Sequence, residues 1–180
     1  MVRAWTRSGL AVVLAGCVLL PGSSAVREPS PRVDADTTRQ LTAAARVLLV
    51  RRSEALVQRR HRDRRTPTEV LGVRISPGVA RVQERAVREL ENRNRAPVEG
   101  GPAYTGARTR LEEGKAIRTG DRITLEAVEH TEVRYDTGTL VQSVRRGFEF
   151  RTHGEQITLV GERVLDPAAH PVNDPEPPAR

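Results

Sequence analysis

The chain is short of three side chains that many proteins use for chemistry or packing. Among 180 residues there is one cysteine, Cys17, one tryptophan, Trp5, and one lysine, Lys115. Cys17 and Trp5 both fall in the first 25 residues, which read as a removable leader. Cleavage after Ala25 would leave a mature chain with no cysteine, and hence no disulfide, no thiol nucleophile and no cysteine-ligated metal. Four aromatic residues then remain, Tyr104, Tyr135, Phe148 and Phe150, so Leu, Val and Ile must supply most of the core. Other motifs are missing as well. No H-E-x-x-H pair suggests zinc hydrolysis. No G-x-S-x-G supplies a nucleophile elbow. Gly100-Gly101-Pro102 is too short for a phosphate loop and follows a helical pattern instead of a strand. His61, His153 and His170 lie in a basic run, a turn and the tail, and no two histidines have the spacing of ligands on one helix face. The sequence therefore implies no cofactor, no metal and no catalytic set.

What is present begins with the leader. Residues 1–25 carry Arg3 and Arg7, then an apolar stretch from 9 to 20, a Pro-Gly break and Ser23-Ser24-Ala25. This is the three-part layout of a secretory signal. Its apolar run of about twelve residues is too short to cross a hydrocarbon core of about 30 Å. Two alternatives stay open. Leu14-Ala15-Gly16-Cys17 has the form of a lipobox, which would make Cys17 a lipidated first residue at the outer face of the cytoplasmic membrane, and the leader could also be kept as an anchor. Free secretion is the primary expectation.

The chain is basic, with a formal net charge of +7. The charge is local: residues 39–65 hold nine arginines against Glu54 and Asp63, and the rest of the mature chain is slightly acidic. Arg51, Arg59, Arg60, Arg62, Arg64 and Arg65 are the candidate residues for an anionic surface. Nucleic acid is disfavoured, because no aromatic side chains are interleaved and export removes the chain from it. An anionic envelope polymer or lipid head groups suit the place and the charge better. The plainer alternative is a solvated helix end that aids solubility.

Residues 26–36 read as a polar linker and 37–165 as one α+β domain. A long helix is expected after Thr37, which has capping-box spacing to Gln40, with Leu41, Ala45, Leu48 and Leu56 on one face. Arg52 and Arg59 fall on that apolar stripe. Ser76-Pro77 opens a second helix, with Val79, Val82, Ala86, Val87 and Leu90 inward. From residue 108 the period changes to two. Strands are expected at 108–118, at 122–135, around Leu140, Val144, Phe148 and Phe150, and at 156–164. Residues 166–180, with five prolines in DPAAHPVNDPEPPAR, read as a disordered tail. Two to three helices followed by a four-stranded antiparallel sheet predict an α+β fold with the sheet curled over the long helix, a cystatin-like cone.

Glu129 shares the inward parity of its strand with Ile123, Leu125 and Tyr135. If the long helix crosses the sheet, Arg52 can meet Glu129 at the mouth of a pocket that Tyr135 helps to line. The competing expectation is that Arg52 carries its head to solvent and Glu129 lies beyond the buried part of the strand. His130 and Glu132 have the outward parity and are expected to face water.

Residues 49–58 (LVRRSEALVQ), 104–110 (YTGARTR), Glu129-His130-Thr131-Glu132, 164–167 (VLDP) and 171–174 (PVND) resemble the amino-terminal accessory region of exported bacterial proteins that carry a C-terminal amidase domain. The resemblance covers about residues 38–175. It implies a cystatin-like or nuclear-transport-factor-like fold and a stand-alone accessory domain without the amidase domain, so it lends no hydrolytic residues to this chain. A non-enzymatic binding module at the cell envelope or outside the cell is the function expected, with an amidase-domain protein as one partner class. A small-ligand carrier or small enzyme using the pocket is the alternative.

Overall fold

The computed structural model describes residues 32–57, 65–96 and 100–175. It is an α+β structure of two helices and seven strands. Helix α1 spans Ala35–Val57 and is followed by two short strands, β1 (Glu69–Val70) and β2 (Val73–Ile75). Helix α2 spans Pro77–Arg93, and the rest of the sheet follows it: β3 (Gly106–Glu112), β4 (Ala116–Thr119), β5 (Arg122–Tyr135), β6 (Gly138–His153) and β7 (Gln156–Val164). The sheet order is β1-β2-β7-β6-β5-β3, with β4 beside β3 on the same edge of β5. The expected four-stranded antiparallel sheet is thus corrected to a curled, mixed, seven-stranded one. The added strands β1 and β2 precede α2, and β2 runs parallel to β7. Three residues in a strand are too few for a period to show in sequence.

The helix starts follow from local chemistry. Asp34, not Thr37, caps α1: its carboxylate accepts the Thr37 N–H at 2.8 Å and its carbonyl accepts the Thr38 N–H at 2.9 Å. The Thr37 hydrogen bond holds the Asp34 carboxyl below its usual value. Gln40 is then available for another task, donating to the Leu71 carbonyl at 2.6 Å. That bond anchors the β1–β2 turn, where Leu71 and Gly72 both have positive φ, a conformation costly for leucine. Ser76 caps α2 as its sequence predicts, accepting the Val79 N–H at 3.3 Å ahead of Pro77.

The long strands agree with their period. β5 buries Ile123, Leu125, Ala127, Glu129, Thr131 and Val133, every second residue. β5 and β6 pair from Arg122↔Arg151 to Tyr135↔Gly138 through a two-residue turn. Gly120 and Gly154 supply the positive φ that the turns on either side require. The single strand expected at 108–118 is broken in two at residues 113–115, which interrupt the ladder while staying against β5: the Lys115 carbonyl accepts the Glu126 N–H at 2.9 Å. Two apolar residues expected inside are outside instead, Val82 at 55% and Leu140 at 45% exposure. Gln83 takes the inward position beside Val82.

Helix α1 lies against β3, β5 and α2 and fills the concave side of the sheet. Its inner face contributes Leu41, Ala44, Ala45, Leu48 and Leu49 to a large apolar cluster with Leu125, Phe148, Phe150 and Leu159. Two turns further on, Ala55 and Leu56 join a smaller cluster with Val87, Leu90, Tyr104 and Val133.

Residues 166–175 are not a disordered tail. They fold back over the end of the sheet and bring Asn173 to full burial. Residues 176–180 lie outside the described residues.

Gly114 tests the β3–β4 break. A Cβ there would sit 1.9 Å from the Glu126 carbonyl oxygen, whereas one at Gly138 meets nothing within 4 Å. Gly114→Ala is expected to lower unfolding stability by about 3 kcal/mol, and Gly138→Ala to change it by less than about 0.5 kcal/mol. Equal urea midpoints for the two variants would show that the chain does not pass this close to β5.

Candidate functional site

The two apolar clusters do not touch through an apolar seam. A polar layer separates them, and the elements around the concave side contribute to it in turn. Along α1, Leu41 to Leu49 belong to the large cluster, Arg52 and Ser53 to the polar layer, and Ala55 and Leu56 to the small cluster. Along β5 the same sequence runs Ile123 to Ala127, then Glu129 and Thr131, then Val133. Gln83 of α2, Thr109 of β3 and Arg146 of β6 complete the layer, all buried.

Arg146 is the centre. Its guanidinium, with a side chain 1% exposed, uses all five N–H groups. Nε donates to Glu129 at 2.5 Å. Nη1 donates to Glu162 and to Asp174, each at 2.9 Å. Nη2 donates to Asp174 at 2.9 Å and to the Asn173 side-chain carbonyl at 3.4 Å. Burial works to lower the pKa of this group, but the carboxylates of Glu162, Glu129 and Asp174 outweigh it and hold the value above that of an ordinary arginine.

Arg52 forms the second pole. Nε donates to Gln83 at 2.8 Å, both terminal nitrogens reach Glu162 at 3.0 and 2.8 Å, and Nη1 reaches Asp174 at 2.6 Å. Gln83 in turn donates to Glu162 at 3.0 Å. Glu129 is closed off on its other oxygen by Asn173 at 2.6 Å and by Thr131 at 3.2 Å. Thr131, Thr109 and Ser53 continue the chain of hydroxyls, and the Asn173 amide donates to Ser53 at 3.1 Å. Two guanidinium groups therefore face three carboxylates in a region with little access to water.

The expected direct pair between Arg52 and Glu129 is not formed. Both residues are buried, at 4% and 1% exposure, so the alternative of a solvent-directed Arg52 also fails. Arg146 sits between them and pairs with Glu129 itself. Tyr135 is not at the Arg52 cleft; it stacks on Tyr104 with ring centroids 5.4 Å apart. The signal in the sequence that marks Arg146 is its inward parity, shared with Val144, Phe148 and Phe150. Asn173 and Asp174 gave no local signal, because nothing in a proline-bearing segment tells where it folds back.

Two depressions adjoin the layer. One of about 340 Å³ is bordered by Arg52, Gln83, Glu162, Val79, Val82 and Val160. Another, of about 720 Å³, is mainly apolar and lies between Tyr135, Leu140, Val164 and the fold-back segment. On the outer face of the sheet, His130 bridges Ser143 at 2.8 Å and Glu112 at 3.0 Å. The order Ser-His-Glu has the form of a proton relay. Its strands lie inside the β3–β5–β6 ladder, so their backbone N–H groups are directed along the sheet and not toward an oxyanion above it. A cross-strand hydrogen-bonded row on a wet sheet face explains it fully.

Of the basic surface residues, Arg59, Arg60, Arg62 and Arg64 lie outside the described residues, as does Cys17 with the leader. Arg51 donates to the Arg65 carbonyl at 2.8 Å, tying the end of α1 to the chain that returns from it. No group of three or more His, Cys, Asp or Glu among the described residues could hold a metal ion, and no described helix is long and apolar enough to cross a membrane.

No protein-family model, curated protein or solved structure matches the chain.

Two outcomes follow. Arg146→Ala leaves Glu129 buried without its guanidinium partner and leaves Glu162 and Asp174 with Arg52 alone, and is expected to cost about 3–5 kcal/mol of stability. Arg151→Ala removes an exposed pair with Asp121 and should cost under about 1 kcal/mol. Denaturant unfolding that ranks the two equally would remove the layer from its structural role.

Tyr104 gives a pH signature. Its hydroxyl is buried without a hydrogen-bond partner, and burial, with Tyr135 adjacent, pushes its pKa up to about 12. Folded protein holds the neutral form while the unfolded chain ionises near 10. Its contribution is therefore complete below about pH 10 and is lost as pH rises toward 12. Tyr104→Phe should be at least as stable as the parent at neutral pH and should flatten the alkaline fall in melting temperature. A steeper fall in the variant would contradict the burial of this hydroxyl.

Proposed function

We propose that the chain is an exported, non-enzymatic accessory domain, a binding module that acts at the cell envelope or outside the cell. The observation that carries this reading is where the resemblance motifs meet. Arg52 and Ser53 come from 49–58, Thr109 from 104–110, Glu129 and Thr131 from the β5 motif, and Asn173 and Asp174 from 171–174. These four stretches are far apart in sequence, and their polar members share one buried hydrogen-bonded layer. That convergence supports the likeness to the accessory region of amidase-domain proteins. The curled sheet around α1 supports a cone of the cystatin-like or nuclear-transport-factor-like kind.

The layer also supports a structural use of its charges. Each guanidinium and carboxylate in it is engaged by a partner, and a general acid or base needs a proton path to a substrate instead. The outside offers two further places for binding: the apolar groove by Leu140, and the arginine-rich stretch 46–65 toward an anionic polymer or lipid. The leader supports free secretion, with lipidation at Cys17 as the alternative route to the same side of the membrane.

The depression beside Arg52 favours a second reading, a small-ligand carrier, since about 340 Å³ with apolar walls and a polar floor is ligand-sized. Intact native mass spectrometry of the protein made in an exporting bacterial host separates the two. The expected species is a bare chain beginning at Val26. Retained non-covalent mass would replace the module by a carrier, and a lipidated Cys17 would replace free secretion by a tether.

A further inference from the structure

The fold-back segment is held unlike the rest of the molecule. Residues 166–175 make no strand pairing. Two turns, Ala169 N–H to Asp166 and Asp174 N–H to Pro171, shape it internally. Side chains attach it: Gln142 accepts the Val172 N–H and donates to the His170 carbonyl, each at 3.0 Å, and Arg93 donates to the Val172 carbonyl at 3.4 Å. Asn173 and Asp174 attach it to the buried layer. Pro167, Pro171 and Pro175 stiffen the segment, so little further conformational freedom is lost when it docks.

We infer that Arg52, Ser53, Glu129 and Arg146 form a binding site for a peptide carrying Asn-Asp, which residues 173–174 occupy here and which an Asn-Asp segment of a partner protein can enter from outside. This rests on the binding-module reading and names the chemistry of the partner.

The recognition is specific at each position. The Asp174 carboxylate takes two parallel bonds from Arg146 and a third from Arg52. Such bidentate pairing fixes a carboxylate in plane and distance. The Asn173 amide donates to Glu129 and Ser53 and accepts from Arg146. An aspartate at that place would set a carboxylate against Glu129, and an alanine would take one donor away from each of Glu129 and Ser53.

Charge makes the segment separable. With it in place, two guanidinium groups face Glu129, Glu162 and Asp174. With it lifted, Arg52 keeps Gln83 and Glu162, and Arg146 keeps Glu129 and Glu162, so the two charges of each sign balance. The emptied site holds its own arginines in position and presents the freed Nη2 of Arg146 beside a Glu129 oxygen held by Thr131. A site built only as a core element would have no reason to be neutral with one of its members removed.

The experiment uses the full chain with a protease site inserted between Ala168 and Ala169, at the exposed part of the segment. After purification and cleavage, the probe is a fluorescein-labelled peptide, Pro-Val-Asn-Asp-Pro, followed by anisotropy, with circular dichroism reporting the fold. The uncleaved protein should bind the probe at least about tenfold more weakly than the cleaved one, because the tethered segment competes at high effective concentration. In the cleaved protein, probes carrying Asn173→Ala or Asp174→Asn should each lose at least about tenfold in affinity, as one buried group is left unpaired. The inference is overturned if the cleaved, folded protein does not take up the probe, or if the substituted probes bind equally well. Loss of the fold on cleavage would overturn it too, since a site that collapses without its occupant cannot receive another. These failures would leave a bare chain in the native mass spectrum unaffected, so they are distinct from failure of the binding-module reading.

Discussion

A guanidinium group deprived of water keeps its charge, and its burial is tolerable only where carboxylates and carbonyls surround it on every side. Arg146 occupies that position here, at the point where β5, β6, β7 and the fold-back segment approach each other. The requirement shapes its neighbourhood. Five acceptors must be brought to one plane, and they come from three places in the chain: Glu129, Glu162 and the adjacent pair Asn173-Asp174. The core therefore cannot be a continuous apolar mass. It is divided into a large cluster and a small one, each closed by aliphatic side chains on α1, α2 and the sheet.

A layer of this kind contributes more to uniqueness than to raw stability. Apolar contacts tolerate exchange of one aliphatic residue for another, while each bond of Arg146 has one geometry. Register errors are correspondingly costly. A shift of β6 by one residue would turn Arg146 to solvent and Arg145 or Gly147 inward, leaving Glu129 buried and alone. The layer also explains how a chain with few aromatic residues defines one fold. Large rings are scarce, and directional bonds do the work of shape.

The segment after β7 gains its order from the same source. It has no ladder and few apolar residues, and Asn173 and Asp174 seat it because the interior holds donors and acceptors that only such residues satisfy. A surface that recognises two side chains so specifically has the properties of a receptor, whether its occupant arrives along the chain or from elsewhere.

The sequence by itself determined the secondary elements wherever a face repeated for long enough. Ser76-Pro77 marked the start of α2, and β5 and β7 lie where alternation and turn residues placed them. It also put Arg52 and Glu129 on inward faces, because parity and helical phase are local properties. Only the tertiary structure decided what those charges do. Arg146 became the bridge between them, Asp174 crossed 122 positions of sequence to reach Arg52, and the three residues of β2 paired parallel to β7. The physical reason is the range of the information. Periodicity is written into neighbouring residues, whereas partners for a buried charge are chosen by the closure of the whole sheet around α1.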